Sequence, residues 1–308
     1  MDNILDVKSL TKMYGNYKAV DHISFSLKRG QILGFLGPNG AGKTTTIQML
    51  LGITSHESGD IFYFGKNFAQ NRKECLSRIN FASAYNTLQG RISVWENLVV
   101  FAKLYSVKNP KKKINELIEY FEIQDLLPNR FWDLSAGQKT RVNIIKSLLN
   151  DPELLLLDEP TASLDPDIAD KVLSFVETLK KNQKISILYT SHNMEEVTRI
   201  CDEVIILDHG KIVAQDTPLQ LTKRLDQAQL KLSFEGDPER VSKYLKIKKQ
   251  DFKFINKFTI LIDTKEALIP KMIFGLSNED IFITDIEVKK PTLEDVFLNI
   301  ARGEKNER

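Results

Sequence analysis

A glycine-rich segment near the N-terminus constrains the fold more than any other feature of the chain. It reads Gly37-Pro38-Asn39-Gly40-Ala41-Gly42-Lys43-Thr44-Thr45, and it lies between the apolar run Ile32 to Leu36 and the helix-like stretch Thr46 to Leu51. Glycines let the backbone curl so that its N–H groups converge on an anion, and a following helix adds the positive end of its dipole. The spacing therefore predicts a phosphate-binding loop, in which Lys43 reaches the β- and γ-phosphates and the Thr44 hydroxyl binds Mg²⁺.

The composition of the chain is that of an ordinary globular protein. Of its 308 residues, 42% are hydrophobic and 27% are charged, and the formal net charge is +2. We expect two domains from this length, and no bulk positive charge indicates binding to nucleic acid. Cys75 and Cys201 form no C-x-x-C motif, which is typical of a reduced cytosolic compartment. No apolar run approaches the ~20 residues of a membrane span and no secretory signal is visible, so we expect a membrane role only through a partner.

Short apolar stretches alternate with turn residues between residues 4 and 36. This pattern predicts antiparallel strands that lead into the strand before the glycine-rich loop. Tyr14 lies beside Gly15 in this region, and its ring can either stack on an adenine base or pack at a strand edge. Taken alone, the residue favours simple packing.

From about Arg78 to Asn150 the pattern is helical. One apolar face is predicted for the first helix, formed by Val94, Leu98, Phe101, Leu104 and Tyr105. A later helix opens at Leu134-Ser135-Ala136-Gly137-Gln138, where Ser135 is suited to cap the N-terminus. Free N–H groups and a hydroxyl at such a start can hold a second phosphate group, although the same residues also make a good helix start without any ligand.

Polar residues follow two further strands of the predicted sheet. The run Leu154 to Leu157 ends in Asp158-Glu159, and the run Ile185 to Tyr189 ends in Thr190-Ser191-His192. Two carboxylates at the tip of a buried parallel strand are hard to explain by packing, and α/β sheets bind ligands at the carboxyl ends of their strands. In P-loop ATPases the first acid holds Mg²⁺ and the second polarises the attacking water. A single histidine after a strand is weak evidence for a functional site. His192 is therefore included only because polar residues also follow the other strands.

These residues together resemble the nucleotide-binding subunit of ATP-binding cassette (ABC) transporters over roughly Ile4 to Thr222. The resemblance implies an α/β P-loop ATPase domain at residues 1–225, with a RecA-like core, an antiparallel β subdomain and a helical subdomain at about residues 85–150. It implies the following elements: an adenine-stacking Tyr14, the Walker A loop Gly37 to Thr45 with contacts from Gly37, Asn39, Gly40, Gly42, Lys43, Thr44 and Thr45, the signature with Ser135, Gly137 and Gln138, the Walker B strand Leu154 to Asp158, the catalytic Glu159, the D-loop Ser163-Leu164-Asp165 and the switch His192.

The sequence departs from the pattern of this family at two positions. The signature has Ala136 where glycine is usual, which adds one methyl group and is expected to leave the phosphate contact intact. The glutamine that normally follows the strand at Ile79 to Ser83 is replaced by Ala84. We hypothesise that Asn86 or Gln89, just downstream, partly substitutes for it, or that hydrolysis proceeds without it.

In this family two ATPase domains sandwich two ATP molecules head to tail, so one copy of each motif implies a homodimer or a paralogous partner. The implied mechanism is in-line attack of water on the γ-phosphate: Glu159 polarises the water, His192 contacts the phosphate, and Lys43 with Mg²⁺ neutralises charge. The cofactors are then ATP and Mg²⁺, with Thr44 and Asp158 as metal ligands. The partner is a separate membrane-spanning permease, which would hold the chain at the cytoplasmic face of a membrane.

Alternative functions remain open at this point. An importer ATPase differs only in the direction of transport. A non-transport ABC ATPase acting on ribosomes or DNA usually has two cassettes or long coiled coils, and neither pattern is present. A catalytically inactive binding module is disfavoured because Lys43, Asp158, Glu159 and His192 are all in place.

The remaining residues, 226–308, predict a small second domain. Their pattern is strand, helix, strand, strand, helix, strand, which is typical of a ferredoxin-like α+β fold. A last helix begins after Pro291, where Thr292 and Asp295 have the spacing of a capping box. This ending resembles the C-terminal extension of ATPases that export drugs, antibiotics and polysaccharides. It is expected to stabilise a dimer, and no residue in it supports a regulatory or substrate-sensing role.

Overall fold

The structure is a computed structural model of the chain, and it describes residues 2–83, 87–162, 164–181, 185–225 and 228–306, with side chains to residue 300. The chain divides into two compact units, Met1–Pro218 and Leu219–Arg308. No helix among these described residues combines the length and the apolar character that a membrane span requires.

The first unit contains two sheets. Its strands are β1 (Asn3–Tyr14), β2 (Tyr17–Lys28), β3 (Ile32–Leu36), β4 (Ser58–Tyr63), β5 (Lys66–Asn67), β6 (Ile79–Ser83), β7 (Leu154–Asp158), β8 (Ser186–Thr190), β9 (Glu203–Asp208) and β10 (Lys211–Asp216). A six-stranded sheet has the order β10-β9-β3-β8-β7-β6 and is parallel except at β10. A four-stranded antiparallel sheet has the order β2-β1-β4-β5.

The helices of the first unit are α1 (Lys43–Leu50), α2 (Arg72–Ser77), α3 (Val94–Leu104), α4 (Pro110–Tyr120), α5 (Ala136–Leu148), α6 (Pro166–Lys181) and α7 (Met194–Ile200). All residues of β3, β7 and β8 are buried, as expected for parallel strands whose two faces are both covered. The two sheets share a core, in which the Phe25 and Phe35 rings meet edge to face at 4.9 Å. This core holds the loop after β3 at the carboxyl edge of the parallel sheet.

Helices α3 to α5 form the predicted helical region, and two details of that prediction are wrong. The pattern predicts helix from about Arg78, but Ile79–Ser83 is strand β6. Val94 and Leu98 are buried as expected, but Leu104 is 69% exposed. The reason is angular: ten residues at 100° each place Leu104 about 80° away from Val94 around the helix axis, at the edge of the apolar stripe.

The second unit has the predicted ferredoxin-like topology. After α8 (Pro218–Lys223) its elements are β11 (Ala228–Glu235), α9 (Pro238–Ile247), β12 (Asp251–Asn256), β13 (Thr259–Thr264), α10 (Ile269–Ser277), β14 (Phe282–Lys289) and α11 (Leu293–Asn306). The antiparallel sheet has the order β12-β13-β11-β14. Alternate residues of β11 are buried against α9 and α10, because one face of the sheet carries the core. The predicted capping box also forms: Asp295 accepts from the Thr292 backbone, and Thr292 accepts from the Asp295 backbone.

Candidate active site

The glycine-rich loop joins the buried end of β3 to the start of α1. Gly42 is the N-cap residue of α1 and has φ 102°, a conformation that residues with a side chain rarely adopt. A Cβ atom at this position would lie 2.5 Å from the carbonyl oxygen of Ala19. The turn between β9 and β10 holds the loop from the other side, because the Gly210 N–H donates to the Ala41 carbonyl at 3.2 Å. The loop is therefore a closely packed backbone cradle.

We expect Gly42→Ala to weaken ATP binding by at least about tenfold, because relieving this contact must move the loop and misdirect its N–H groups. Gly65→Ala is the matched control: Gly65 also has a positive φ of 77°, but apart from its two chain neighbours no residue has an atom within 4 Å of the position that a Cβ would take there. Titration of each variant with a fluorescent ATP analogue measures the effect. Equal affinity in the two variants would contradict the role of the cradle.

Lys43 turns back over this loop. Its Nζ donates to the carbonyl oxygen of Gly37 at 2.5 Å and to that of Pro38 at 3.2 Å. Burial lowers the pKa of Lys43, while the nearby charges of Glu159 and Asp158 act in the opposite direction. The lysine predicted to bind phosphate thus lies within the electrostatic range of both predicted carboxylates.

The other loop residues differ in exposure. Thr44, Asn39 and Gly40 are exposed, whereas Thr45 is half-buried. The Thr44 hydroxyl at the start of α1 is accessible and is an oxygen donor of the kind Mg²⁺ prefers. Asp158 at the end of β7 is a second such donor, and burial raises its pKa. A buried carboxylate is stabilised by a bound cation, so these two residues fit a Mg²⁺ site.

Thr190 at the end of β8 ties the two carboxylate residues together. Its hydroxyl donates to Asp158 Oδ1 at 2.6 Å and accepts from the backbone N–H of Glu159 at 3.0 Å. The Glu159 N–H also lies 3.1 Å from the Thr190 carbonyl oxygen, and Glu159 adopts the unusual φ of 51°. This conformation turns the chain sharply where β7 ends.

The Glu159 carboxylate contacts the predicted switch histidine. His192 Nδ1 lies 2.6 Å from Glu159 Oε2. A carboxylate oxygen only accepts, so the imidazole donates from Nδ1 and keeps Nε2 for a further contact. The His192 side chain is 71% exposed, whereas that of Glu159 is 15% exposed. This pair can hold a water molecule or a phosphate oxygen at the open side of the site.

The signature residues form the N-terminus of α5. Ser135 Oγ accepts from the Gln138 backbone at 3.3 Å, and Gln138 Oε1 accepts from the Ser135 backbone at 2.9 Å, so the predicted cap is a full capping box. Gly137 lies beside Leu164, because a Cβ on Gly137 would be 3.3 Å from Leu164 Cδ2. Asp165 is exposed, and its carbonyl oxygen accepts from Ile168 and Ala169 as α6 begins.

Tyr14 is 50% exposed, and its ring lies 5.3 Å from Lys12 Nζ. Sequence reasoning did not identify a second tyrosine in the same hairpin. Tyr17 pairs with Tyr14 across the turn between β1 and β2, and its hydroxyl donates to the Gly40 carbonyl of the phosphate loop at 3.3 Å. Both rings are accessible to a base, and only Tyr17 has a hydrogen bond to the loop among the contacts described for the pair.

The structure brings Lys43, Asp158, Glu159 and His192 together at the carboxyl ends of β3, β7 and β8. It does not describe Ala84, Asn86 or Ser163, so the predictions for these residues lie outside the described part of the chain. Gln89 is described: its backbone exchanges hydrogen bonds with the Asn97 side chain, at 3.0 Å from its N–H and 2.9 Å to its carbonyl.

Sequence reasoning missed two residues of the site and one buried carboxylate behind it. Thr190, Tyr17 and Glu196 all contact predicted residues or their neighbours. The only signal for Thr190 was its position at a strand end beside His192. Glu196 carried no signal, because an acidic residue in the first turn of a helix is normally explained by the helix dipole.

The family profile and the relatives that match this chain all point to the same protein family. The sequence profile described as "ABC transporter" matches residues 20–162. The bacitracin transport ATP-binding protein of Bacillus licheniformis is 37% identical over 78% of this chain and 78% of its own length. The linearmycin resistance ATP-binding protein of Bacillus subtilis (strain 168) is 32% identical over 97% of this chain and 98% of its own. A Nod factor export ATP-binding protein of Rhizobium meliloti (strain 1021) is 30% identical over 97% and 88%.

Solved structures agree with the fold of the first unit. A structure described as the ATP-binding subunit of an ABC transporter superimposes with a TM-score of 0.67, at 26% identity, over 72% of this chain and 92% of that one.

Proposed function

The chain belongs to the ABC transporter family of ATP-binding proteins, and on that premise we propose that it is the subunit that energises a separate membrane-spanning permease for export. It binds and hydrolyses ATP, as its homologues do. One observation supports the proposed chemistry above all, the cluster of Lys43, Asp158, Glu159 and His192. Within it, His192 Nδ1 lies 2.6 Å from Glu159 Oε2.

We assign the roles of the site residues from this geometry. Glu159 accepts the proton of the attacking water, and the Nδ1 contact of His192 holds its carboxylate in place. The Lys43 ammonium exchanges its loop carbonyls for phosphate oxygens and compensates their charge. Thr44 and Asp158 would hold Mg²⁺, which supplies further compensation of phosphate charge when bound.

The remaining contacts to ATP come from the loop and from a second subunit. In this proposal the loop residues Gly37, Asn39, Gly40, Gly42 and Thr45 bind phosphates, and Tyr14 supports the adenine. Ser135, Gly137, Gln138 and Asp165 act on the nucleotide of the opposite subunit. The two-fold arrangement is supported by the open N-terminus of α5, whose residues are exposed or half-buried.

Export is proposed because the three relatives above are named for bacitracin transport, linearmycin resistance and Nod factor export. The cargo class is then a drug, antibiotic, lipid or polysaccharide. Two of these relatives align over 97% of this chain, so the likeness includes the second domain, which we propose to begin at residue 226. The permease would hold the chain at the cytoplasmic face of the membrane.

Affinity capture from gently solubilised membranes of the native host tests the transport role. We expect a polytopic membrane protein to co-purify in near-stoichiometric amount. Recovery with ribosomal proteins or nucleic acid instead, and no membrane protein, would leave the ATPase chemistry intact and contradict the transport role.

The two candidates downstream of Ala84, Asn86 and Gln89, give a separate prediction. If Gln89 partly replaces the usual glutamine, Gln89→Ala is expected to lower ATP turnover about tenfold, since positioned groups of this kind contribute on that scale or more. Asn86→Ala tests the other candidate, and Gln124→Ala is a control on an exposed glutamine of the same helical region. Unchanged phosphate release in both candidate variants would show that hydrolysis proceeds without either side chain.

A further inference from the structure

A buried carboxylate lies behind the active site and touches none of the predicted residues directly. Glu196 in α7 is 8% exposed. Three hydroxyl groups converge on its Oε2 atom: Thr161 Oγ1 at 2.7 Å, Tyr189 Oη at 2.8 Å and Ser191 Oγ at 3.0 Å. A charged group out of water is costly unless it is fully hydrogen-bonded, so this cluster requires an explanation beyond packing.

Two of the three hydroxyl donors flank the catalytic pair along the chain. Thr161 follows Glu159 by two residues, and its carbonyl oxygen accepts from the Leu164 N–H at 3.0 Å, which starts the turn toward Asp165. Ser191 immediately precedes His192. One carboxylate oxygen therefore binds the segment after Glu159 and the segment before His192.

Asn193, which follows His192, is hydrogen-bonded to the same helix. The backbone N–H of Asn193 donates to Ser191 Oγ at 3.0 Å, and the Asn193 side chain caps α7 by accepting from Glu195 and Glu196. His192 thus projects from a short turn whose two ends are hydrogen-bonded to the first turn of α7. The position of its imidazole depends on where α7 lies relative to Thr161.

Tyr189 in β8 supplies the third hydroxyl group of the cluster. It is fully buried in β8, and burial together with the negative charge of Glu196 raises its pKa well above the ordinary value. The phenol therefore stays protonated and remains a donor to Glu196. The third hydrogen bond links the carboxylate to the rigid parallel sheet.

From these contacts we infer that Glu196 is a positioning residue for hydrolysis, which holds Thr161 and Ser191 so that Glu159 and His192 keep their 2.6 Å contact. The inference rests on the proposed ATPase roles of Glu159 and His192. Glu196 does not touch ATP. It acts on the rate of the chemical step and leaves nucleotide binding to the phosphate loop.

The test is ATP turnover by the full-length protein carrying Glu196→Gln. A glutamine keeps the size of the side chain and can place its carbonyl oxygen where Oε2 lies, but it removes the negative charge, so all three hydrogen bonds to that oxygen lose their charge-assisted strength. We expect kcat to fall about tenfold or more, because a misplacement on the order of an ångström can cost as much as a hundredfold. KM for ATP is expected to change less than about twofold, since only transition-state contacts are affected.

Glu195→Gln is the matched control, because Glu195 is the neighbouring carboxylate in α7 and is exposed. It is expected to keep the wild-type rate. All rates are normalised to the amount of bound ATP, so that a variant which merely folds less well loses sites but not rate per site. An unchanged rate per site in Glu196→Gln would overturn the inference.

A double-mutant cycle with His192→Ala separates positioning from general stabilisation. If Glu196 acts through His192 and Glu159, its substitution is expected to cost much less in the His192→Ala background than in the wild type. Equal costs in both backgrounds would overturn the inference. Should Glu196→Gln fail to fold, Thr161→Val removes one of the same hydrogen bonds with little change of shape, and the same cycle applies to it.

The proposed function and this inference fail in different ways. A wild-type chain without ATP turnover, alone and with its membrane partner, would overturn both. An active wild type with equally active Glu196→Gln and Thr161→Val variants would overturn the positioning role alone.

Discussion

Glu159→Gln is expected to reduce steady-state ATP turnover by about a hundredfold or more, since a positioned general base contributes roughly 10²- to 10⁴-fold. The amide cannot accept the proton of the attacking water. It can still accept from His192 Nδ1 through its oxygen, so the geometry of the pair survives the substitution. Lys43, Thr44 and Asp158 remain unchanged, and ATP affinity is expected to stay within about threefold of the wild type.

Glu159→Gln is also expected to change the oligomeric state of the protein in the presence of ATP. If two subunits close around ATP and hydrolysis separates them, the Glu159→Gln variant is expected to accumulate as an ATP-dependent dimer. Light scattering after gel filtration with and without ATP measures this directly. Glu119→Gln in α4 is a control on an exposed carboxylate. Turnover by Glu159→Gln close to that of the wild type would contradict the role of Glu159 as the base.

Much of the fold follows from local patterns in the sequence. The run Leu154 to Leu157 is apolar throughout, and the run Ile185 to Tyr189 is apolar except at Ser186, because strands β7 and β8 are covered on both faces. In the second unit, alternate burial along β11 and the turn between β12 and β13 were readable for the same kind of reason. These signals depend on neighbours along the chain and on nothing more distant.

The site was predictable only as a set of strand ends. Parallel strands place their carboxyl ends at one edge of a sheet, so Asp158, Glu159 and His192 were expected near one another. The direct Glu159–His192 contact was not predictable, because it depends on the φ of 51° at Glu159 and on the register of β7 against β8. The Glu196 cluster was hidden for a related reason: Thr161, Tyr189 and Ser191 resemble ordinary polar residues until the fold joins them.

Lys43→Met is expected to weaken ATP binding by about a hundredfold. The variant keeps an unbranched stem of similar length but removes the ammonium group that is to bind the phosphates. Charge-assisted hydrogen bonds contribute about 1.5–3 kcal/mol each, and a factor of a hundred corresponds to roughly 2.8 kcal/mol. Titration with a fluorescent ATP analogue gives the affinity. Lys146→Met is the matched control, because Lys146 is equally buried and its pKa is likewise lowered by burial, in this case to about 8, but it donates to the Phe81 carbonyl and not to the phosphate loop.

Lys43→Met is also expected to leave the free energy of unfolding unchanged or to raise it. The pKa of Lys43 is lowered mainly by burial, which means that the fold without nucleotide disfavours the charged form relative to the unfolded chain. A lysine of lowered pKa costs stability at pH values below its unfolded pKa, near 10.4, and that cost disappears only as the pH rises through this value. At pH 7 the neutral methionine avoids the cost, although it also loses the two loop hydrogen bonds of Lys43. A thermal midpoint equal to or above that of the wild type, together with weak ATP binding, would therefore assign the ammonium to ligand binding. A variant that unfolds more easily and still binds ATP tightly would assign it to the fold.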